Sequence, residues 1–318
     1  VVPLTRDPPS EVFEALARRR LLIVSGKGGV GRTSVAALVG LALARTGRRV
    51  LVATTGHDDR LAWMMGAESL PAVPLQVAPG LSIQRLVPRV CLREYGALVL
   101  RSERISGAVF DNRVVRRLLR AIPGLDDFTV LGKVWHEAIR ARSFDTIVFD
   151  GPASGHLRLN LGVPRTILRT VPGGPLRDEA ELIQAALEDD SLVAALLVGL
   201  PERWPLTELT ELGASLRDEV GLSVASVVIN GTVASDLPPL GPTEGLQPEL
   251  ARVVDAVDAV THRGRTQTEE VDAWLKSDGP RRCAAQSIVD FPWCADGLDG
   301  PRAFADLLDQ LAARPEVA

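Results

Sequence analysis

The sequence predicts an α/β protein: a mostly parallel sheet with helices on both faces. Three observations predict it. Several short segments are apolar along their whole length, as strands covered on both faces must be. Helix-period segments separate them, the alternation that builds parallel sheets. The chain has 318 residues, 46% of them apolar, enough to bury a large core.

The elements follow in order. "LLIVS" (21–25) is a β-branched and leucine run that ends at a glycine-rich loop. A helix should follow from about Arg32 to Thr46, with Gly47 as its cap. That helix is apolar nearly all round and belongs beside the sheet. "RVLVAT" (49–54) reads as the next strand. "TIVFD" (146–150), "VAALLVGL" (193–200), "SVASVVIN" (223–230) and "SIVDFP" (287–292) read as later ones. Helical patterns lie near 90–104, 112–121, 130–142, 176–189, 206–219 and 248–263, and "PRAFADLLDQLAA" forms an amphipathic last helix. The Pro- and Gly-rich stretch 234–248 reads as a loop. No repeat or clean boundary interrupts the chain, so 1–318 is expected to be one domain, with a helical subregion at about 88–142 and 165–190.

The loop after the first strand is "GKGGVGRTS", from Gly26 through Lys27, Gly28, Gly29, Val30, Gly31, Arg32 and Thr33 to Ser34. It fits the phosphate-loop pattern G-x-x-x-x-G-K-[ST], except that Arg32 stands where lysine is expected. Glycines let backbone N–H groups turn inward around phosphate oxygens, and the following helix start adds partial positive charge. The Thr33 hydroxyl is placed to reach Mg²⁺. A second signal is "FDTIVFDGPASGH" (144–156), a strand ending in Asp150 before a Gly-Pro turn. A carboxylate at the C-terminal end of a buried strand sits where α/β sheets bind ligands, and in P-loop enzymes it serves Mg²⁺. The fold class is thus a P-loop NTPase. His156 reads as a helix-start residue or a satisfied polar group rather than a catalytic one. A dinucleotide reading of the G-x-G-x-x-G-like spacing ranks a distant third, because no acidic residue ends "VLVATT" to hold a ribose.

These residues carry a resemblance. Lys27 in "GKGGVGRT" is similar to the signature lysine of the deviant Walker A loop in the ParA/MinD (SIMIBI) class. Within that class the chain resembles the ArsA-like family, the arsenite-pump and guided-entry ATPases. "DGPASGH" resembles the family's D-T-A-P-T-G-H, and "PGLDDF" (123–128) resembles its P-G-x-D-E. "VVIN" ends at Asn230 where the family has an adenine-reading Asn. "FPWCADG", with Pro292 and Trp293, falls where a loop closes over the base. The resemblance implies ATP or ADP with Mg²⁺ as cofactors. It implies catalytic roles for Lys27, Arg32 and Asp150, metal roles for Thr33 and Asp150, and base contacts from Asn230, Pro292 and Trp293. It also implies an ATP-dependent homodimer, or a heterodimer with a related subunit, in which Lys27 crosses into the partner's site.

Two positions depart from the family. Its first switch reads S-T-D-P-A-H, and its Asp orients the attacking water. Here the stretch is "TTGHDDRLAWMMG" (54–66), with Gly56 at that place. Asp58 and Asp59 substitute only if the loop is built differently. His57, Asp58 and Asp59 read as a solvated loop rather than a metal cluster, since consecutive residues rarely converge on one ion. Arginine is longer and planar, and not equivalent to a lysine point charge. The expectation is that binding is retained and hydrolysis is slow; the alternative is a binding-only subunit completed by a more typical partner.

Composition sets further expectations. The net charge of −4 argues against a nucleic-acid partner. Cys91, Cys283 and Cys294 show no C-x-x-C spacing, which suggests a reducing compartment and no zinc site. The same scatter argues against a thiolate site for arsenite. No leader-like apolar stretch opens residues 1–20, and no run of about 18 uncharged apolar residues occurs, so a cytoplasmic protein without membrane insertion is expected. Only Met64 and Met65 are methionines, and 165–190 is charged, so a transmembrane client is not expected for this subunit alone. The client itself is not encoded in any of these features.

Overall fold

The computed structural model describes residues 6–100, 125–233, 240 and 247–313. The helix expected at 112–121, most of the 234–248 loop and the start of "PGLDDF" lie outside them. The described elements are α1 (Pro9–Ala17), β1 (Leu21–Gly26), α2 (Arg32–Arg45), β2 (Val50–Thr54), α3 (Arg60–Met64), β3 (Leu75–Ala78), β4 (Leu81–Arg85) and α4 (Pro88–Leu100). Then come α5 (Leu125–Trp135), β5 (Thr146–Asp150), α6 (Ser154–Thr170), α7 (Pro175–Glu188), β6 (Val193–Gly199) and α8 (Arg203–Ser215). The last are β7 (Val224–Thr232), α9 (Pro248–Lys276), α10 (Gly279–Cys283), β8 (Ala285–Pro292) and α11 (Gly300–Ala312).

The eight strands form one sheet in the order β3-β4-β2-β5-β1-β6-β7-β8. Every neighbouring pair is parallel except β3 with β4. This is the expected α/β architecture. Its physical basis is visible in β1. Leu21 and Ile23 join the core beneath α5 to α8, while Leu22 and Val24 join the core beneath α1, α2 and α11. Side chains alternate across a strand, so a strand covered on both faces must be apolar at every position. Helix α2 is buried from Val35 to Ala44, as its unbroken apolar sequence requires.

The structure corrects several boundaries. Strands β3 and β4 were not expected. β3 is an edge strand with mixed exposure, and β4, "LSIQR", alternates polar residues into an otherwise apolar run. Helix α6 also went unread, because Gly155, Gly162 and Pro164 interrupt its pattern. α5 starts at Leu125 rather than near 130, and a π-helical turn (His136–Arg140) extends it. α9 runs to Lys276 rather than to about 263, since its polar and glycine residues at 262–270 hide a continuing stripe. α3 was not expected; it begins at Arg60, just after the non-helical His57–Asp59.

Candidate functional site

All parallel strands of the sheet end on one edge, and the glycine loop sits there between β1 and α2. Parallel pairing sets Val24 beside Asp150 and Thr54 beside Asp150, so β1, β2 and β5 deliver their ends to one place. Gly26 must be glycine: a Cβ there would stand 2.1 Å from the Val198 carbonyl oxygen on β6. Gly31 turns the chain into α2 at φ +88, where a side chain would also strike the Asn230 amide at 2.3 Å. No side chain caps α2, so its N-terminus faces the loop cavity with free amide character.

Thr33 and Asp150 meet: the Thr33 hydroxyl donates to Asp150 Oδ2 at 2.7 Å. The Thr54 hydroxyl donates to the same oxygen at 3.2 Å and accepts the Gly56 N–H at 3.1 Å. Asp150 is only 6% exposed. Burial pushes its carboxyl up from the usual range, against the pull of the Thr33 hydrogen bond and of Arg32. A buried carboxylate disfavoured by burial, beside a hydroxyl, is a hard-oxygen set that a divalent cation would satisfy. Among the described residues no cluster of three His, Cys, Asp or Glu side chains could hold a metal alone. The set therefore fits Mg²⁺ that takes its remaining ligands from phosphate and water.

The two cations of the loop are both engaged. Arg32 Nη1 donates to the Gly151 carbonyl, just past the end of β5. Lys27 Nζ pairs with Glu208 Oε1 of α8 at 2.8 Å, with both side chains substantially exposed. Gly28 and Gly29 are exposed and Val30 is buried. Ser34 makes only a long contact of 3.9 Å, to Met64 Sδ. Ser25 Oγ donates to the Pro152 carbonyl at 3.0 Å, which ties the loop's strand to the Gly-Pro turn.

The residues read as base contacts gather at the ends of β7 and β8. Asn230 pairs in register with Phe291, and Thr232 with Pro292. Asn230 Nδ2 donates to the Val30 carbonyl at 2.8 Å, so this amide braces the phosphate loop. Trp293 is anchored by its backbone N–H to Thr232 and leaves its ring 50% exposed. His156 stands exposed in the first turn of α6, as expected for a helix-start residue.

The switch stretch is built by a residue that the sequence did not flag. Arg85, at the end of β4, donates to the His57 carbonyl at 3.0 Å and the Asp58 carbonyl at 2.9 Å. It also pairs with Asp59 Oδ1 at 2.6 Å. Asp59 further accepts the Leu70 N–H at 2.9 Å, so its carboxylate is committed to structure. Asp58 is exposed, and its Oδ1 lies 4.0 Å from where a Cβ on Gly56 would stand. Its charge also contributes to raising the Asp150 carboxyl. Of the two acids, Asp58 is the one that approaches the place of the missing side chain. A cavity of about 230 Å³ opens beside this loop, lined by Thr55, His57, Phe149, Pro152, His156 and Asn160 among others. Arg85, Thr54 and Glu208 were missed because each acts through a partner remote in sequence.

The cysteines form no cluster: all three are free thiols. Burial pushes Cys91 up to about 11 and Cys283 up to about 12, leaving both protonated and unreactive.

Comparison with known proteins agrees with this geometry. Residues 19–171 match the model of the anion-transporting ATPase family. The ATPase BagA of Mycobacterium tuberculosis is 27% identical over 233 residues, covering 69% of this chain and 67% of that protein. An uncharacterized protein of Streptomyces coelicolor is 31% identical over 258 residues, covering 69% and 64%. The arsenical pump-driving ATPase of Acidiphilium multivorum is 28% identical over 234 residues, and the match spans 67% of this chain but 39% of that protein. The glycine loop of β1 and the parallel sheet that carries it form an α/β P-loop fold, and over residues 19–171 the chain is similar to the ArsA-like ATPases.

Proposed function

We propose that the chain binds ATP with Mg²⁺ at the Gly26–Ser34 loop, dimerises when ATP is bound, and hydrolyses it slowly. The observation that carries this reading is the 2.7 Å contact between Thr33 and the buried Asp150 at the mouth of the loop. Backbone amides of Gly28 to Thr33 would cradle the phosphates, and Trp293, Pro292 and Asn230 would flank the base. Mg²⁺, held by Thr33 and Asp150, would supply charge neutralisation at the phosphates.

The slow step is argued from two side chains. Arg32 donates to the Gly151 carbonyl, so it must leave a hydrogen bond before it serves a transferring phosphoryl group. Gly56 carries no carboxylate, and Asp58 offers one from an exposed loop. Catalysis of phosphoryl transfer is positioning plus electrostatics, and both are loosened here. Dimerisation is argued from Lys27. Its pair with Glu208 holds it within its own chain at the surface, and an exposed pair of this kind costs about 0–1 kcal/mol to break. The lysine is therefore free to cross to a partner, either a second copy or a related subunit in the cytoplasm.

Calorimetry with ADP and ATP, with and without Mg²⁺, tests binding. Mass measurement with ATP tests assembly, and single-turnover hydrolysis tests chemistry. Heat without turnover, even beside a related subunit, would leave a binding protein; no heat from folded protein would remove the reading.

A further inference from the structure

The two halves of α9 differ in what covers them. From Thr261 onward one stripe is buried against the body: Thr261, Gly264, Gln267, Val271 and Trp274. Spacings of three and four residues mark a heptad seam. The same seam continues toward the N-terminus as Leu250, Val253, Val257 and Val260. Yet no residue from 248 to 260 is buried. Leu250 is 52% exposed, Val253 57% and Val260 38%. These thirteen residues run for about 20 Å at 1.5 Å per residue.

We propose that this N-terminal half of α9 pairs, antiparallel, with the same segment of a second copy of the chain, without nucleotide. Three features name that occupant. First, the seam is complementary to itself when reversed. Leu250 meets the partner's Val260, and Val253 meets the partner's Val257, each contact occurring twice about the two-fold axis. Ala256 packs on its own copy at one flank and Val254 on the other.

Second, the charges match only in that orientation. Glu249 and Arg263 are exposed and occupy equivalent heptad positions beside the seam. Antiparallel pairing sets Glu249 of each copy opposite the partner's Arg263, giving two ion pairs. Parallel pairing would set Glu249 against the partner's Val254 and leave both charges unmatched. Asp255, Asp258 and Arg252 fall on the outer face in either case.

Third, the lengths agree. In this register the partner's Pro248 lies level with His262, where burial against the body begins, so the two helices overlap along the uncovered stretch and stop at the body. A membrane surface is a poor alternative, because Glu249, Asp255 and Asp258 outnumber Arg252 and Arg263 there, and anionic lipid favours a basic flank.

The test is sedimentation of the nucleotide-free chain across a concentration series. A monomer–dimer equilibrium is expected. Val253→Glu with Val257→Glu should weaken it by more than about a hundredfold, since each buries charge in the seam. Because Val253 is exposed and Val257 only half-buried, the far-ultraviolet circular dichroism should be retained. Glu249→Arg and Arg263→Glu should each weaken association by about tenfold, and the double swap should restore it. Lys27→Ala should leave the nucleotide-free dimer unchanged, which separates this contact from the ATP-dependent one. A monomer at all concentrations would overturn the proposal, as would a dimer indifferent to the seam changes or a charge swap that fails to rescue.

Discussion

Asp150 and Asp58 follow strands that lie side by side, yet they are held in opposite ways. Asp150 ends β5, is buried, and receives two hydroxyl donors from α2 and β2. Asp58 lies four residues past β2, is exposed, and depends on a loop that Arg85 ties down through the neighbouring carbonyls and Asp59. A cation ligand needs a fixed position in a low-dielectric place, which a buried strand end supplies. A water-orienting group needs access to solvent and to the phosphate, which a surface loop supplies. The difference teaches that the side that would hold a metal is fixed by the fold, whereas the loop that would orient water is tied down by one guanidinium.

The largest effect is expected on the metal side. Asp150→Ala should lower single-turnover hydrolysis by about 10³-fold or more, the scale of a missing phosphoryl-transfer part. Affinity for nucleotide without Mg²⁺ should change by less than about tenfold, about 1.4 kcal/mol. Thr33→Ala should also act mainly on the Mg²⁺-dependent part. If both substitutions leave the Mg²⁺ dependence of calorimetric binding intact, the contrast between the two carboxylates is wrong.

Next comes repair of the water side. Gly56 does not have a positive φ, and a Cβ there would meet nothing closer than Thr54 Oγ1 at 3.4 Å. A carboxylate can therefore be introduced without backbone strain. Gly56→Asp and Arg32→Lys should each change turnover little. Together they should raise it by more than the product of the single effects, because residues acting as one unit are non-additive. A tenfold gain corresponds to about 1.4 kcal/mol of barrier. Brisk turnover by the unaltered chain that is lost on Arg32→Lys would instead make Arg32 the working group.

Arg85→Ala sharpens the comparison at smaller scale. It removes three hydrogen bonds that shape residues 57–59, and should cost about 1–2 kcal/mol in denaturant unfolding. Turnover should fall further than that loss of folded protein explains, while Mg²⁺-dependent binding stays near normal. A matched fall in binding would mean that the loop and the metal side are one unit.

The smallest effect belongs to Glu208→Gln. It releases Lys27 from an exposed pair and should strengthen ATP-driven dimerisation by up to about fivefold, about 1 kcal/mol. Weaker dimerisation in a sedimentation assay would show that Glu208 serves the assembly rather than restrains it.

What the sequence made legible follows the same division. The loop from Gly26 to Ser34 and the carboxylate at Asp150 are contiguous patterns on buried strands, so composition and spacing reveal them. Arg85 was invisible because β4 alternates and ends on a residue that reads as a surface charge. Glu208 was invisible because its partner, Lys27, is remote in sequence, and nothing local marks either for the other. Asn230 was read as a base contact; its hydrogen bond to the Val30 carbonyl went unread, because only the folded sheet creates that pairing. The long reach of α9 was hidden for a different reason: its stripe passes through Gly264 and Gln267, which carry little hydrophobic signal yet are buried.

The hydroxyl of Thr54 has a single hydrogen, and Asp150 takes it, while its lone pair takes the amide of Gly56. That one atom is a mechanical joint between the strand end that would feel the ion and the loop that would feel the water. An ion held by Asp150 would compete with the Thr54 hydroxyl for the same oxygen, while the lone pair of Thr54 could still accept the Gly56 amide. The strand end and the loop therefore share one side chain, and a change at either is felt first at Thr54. A valine in its place would keep the shape of β2 and make the two ends of the site deaf to each other.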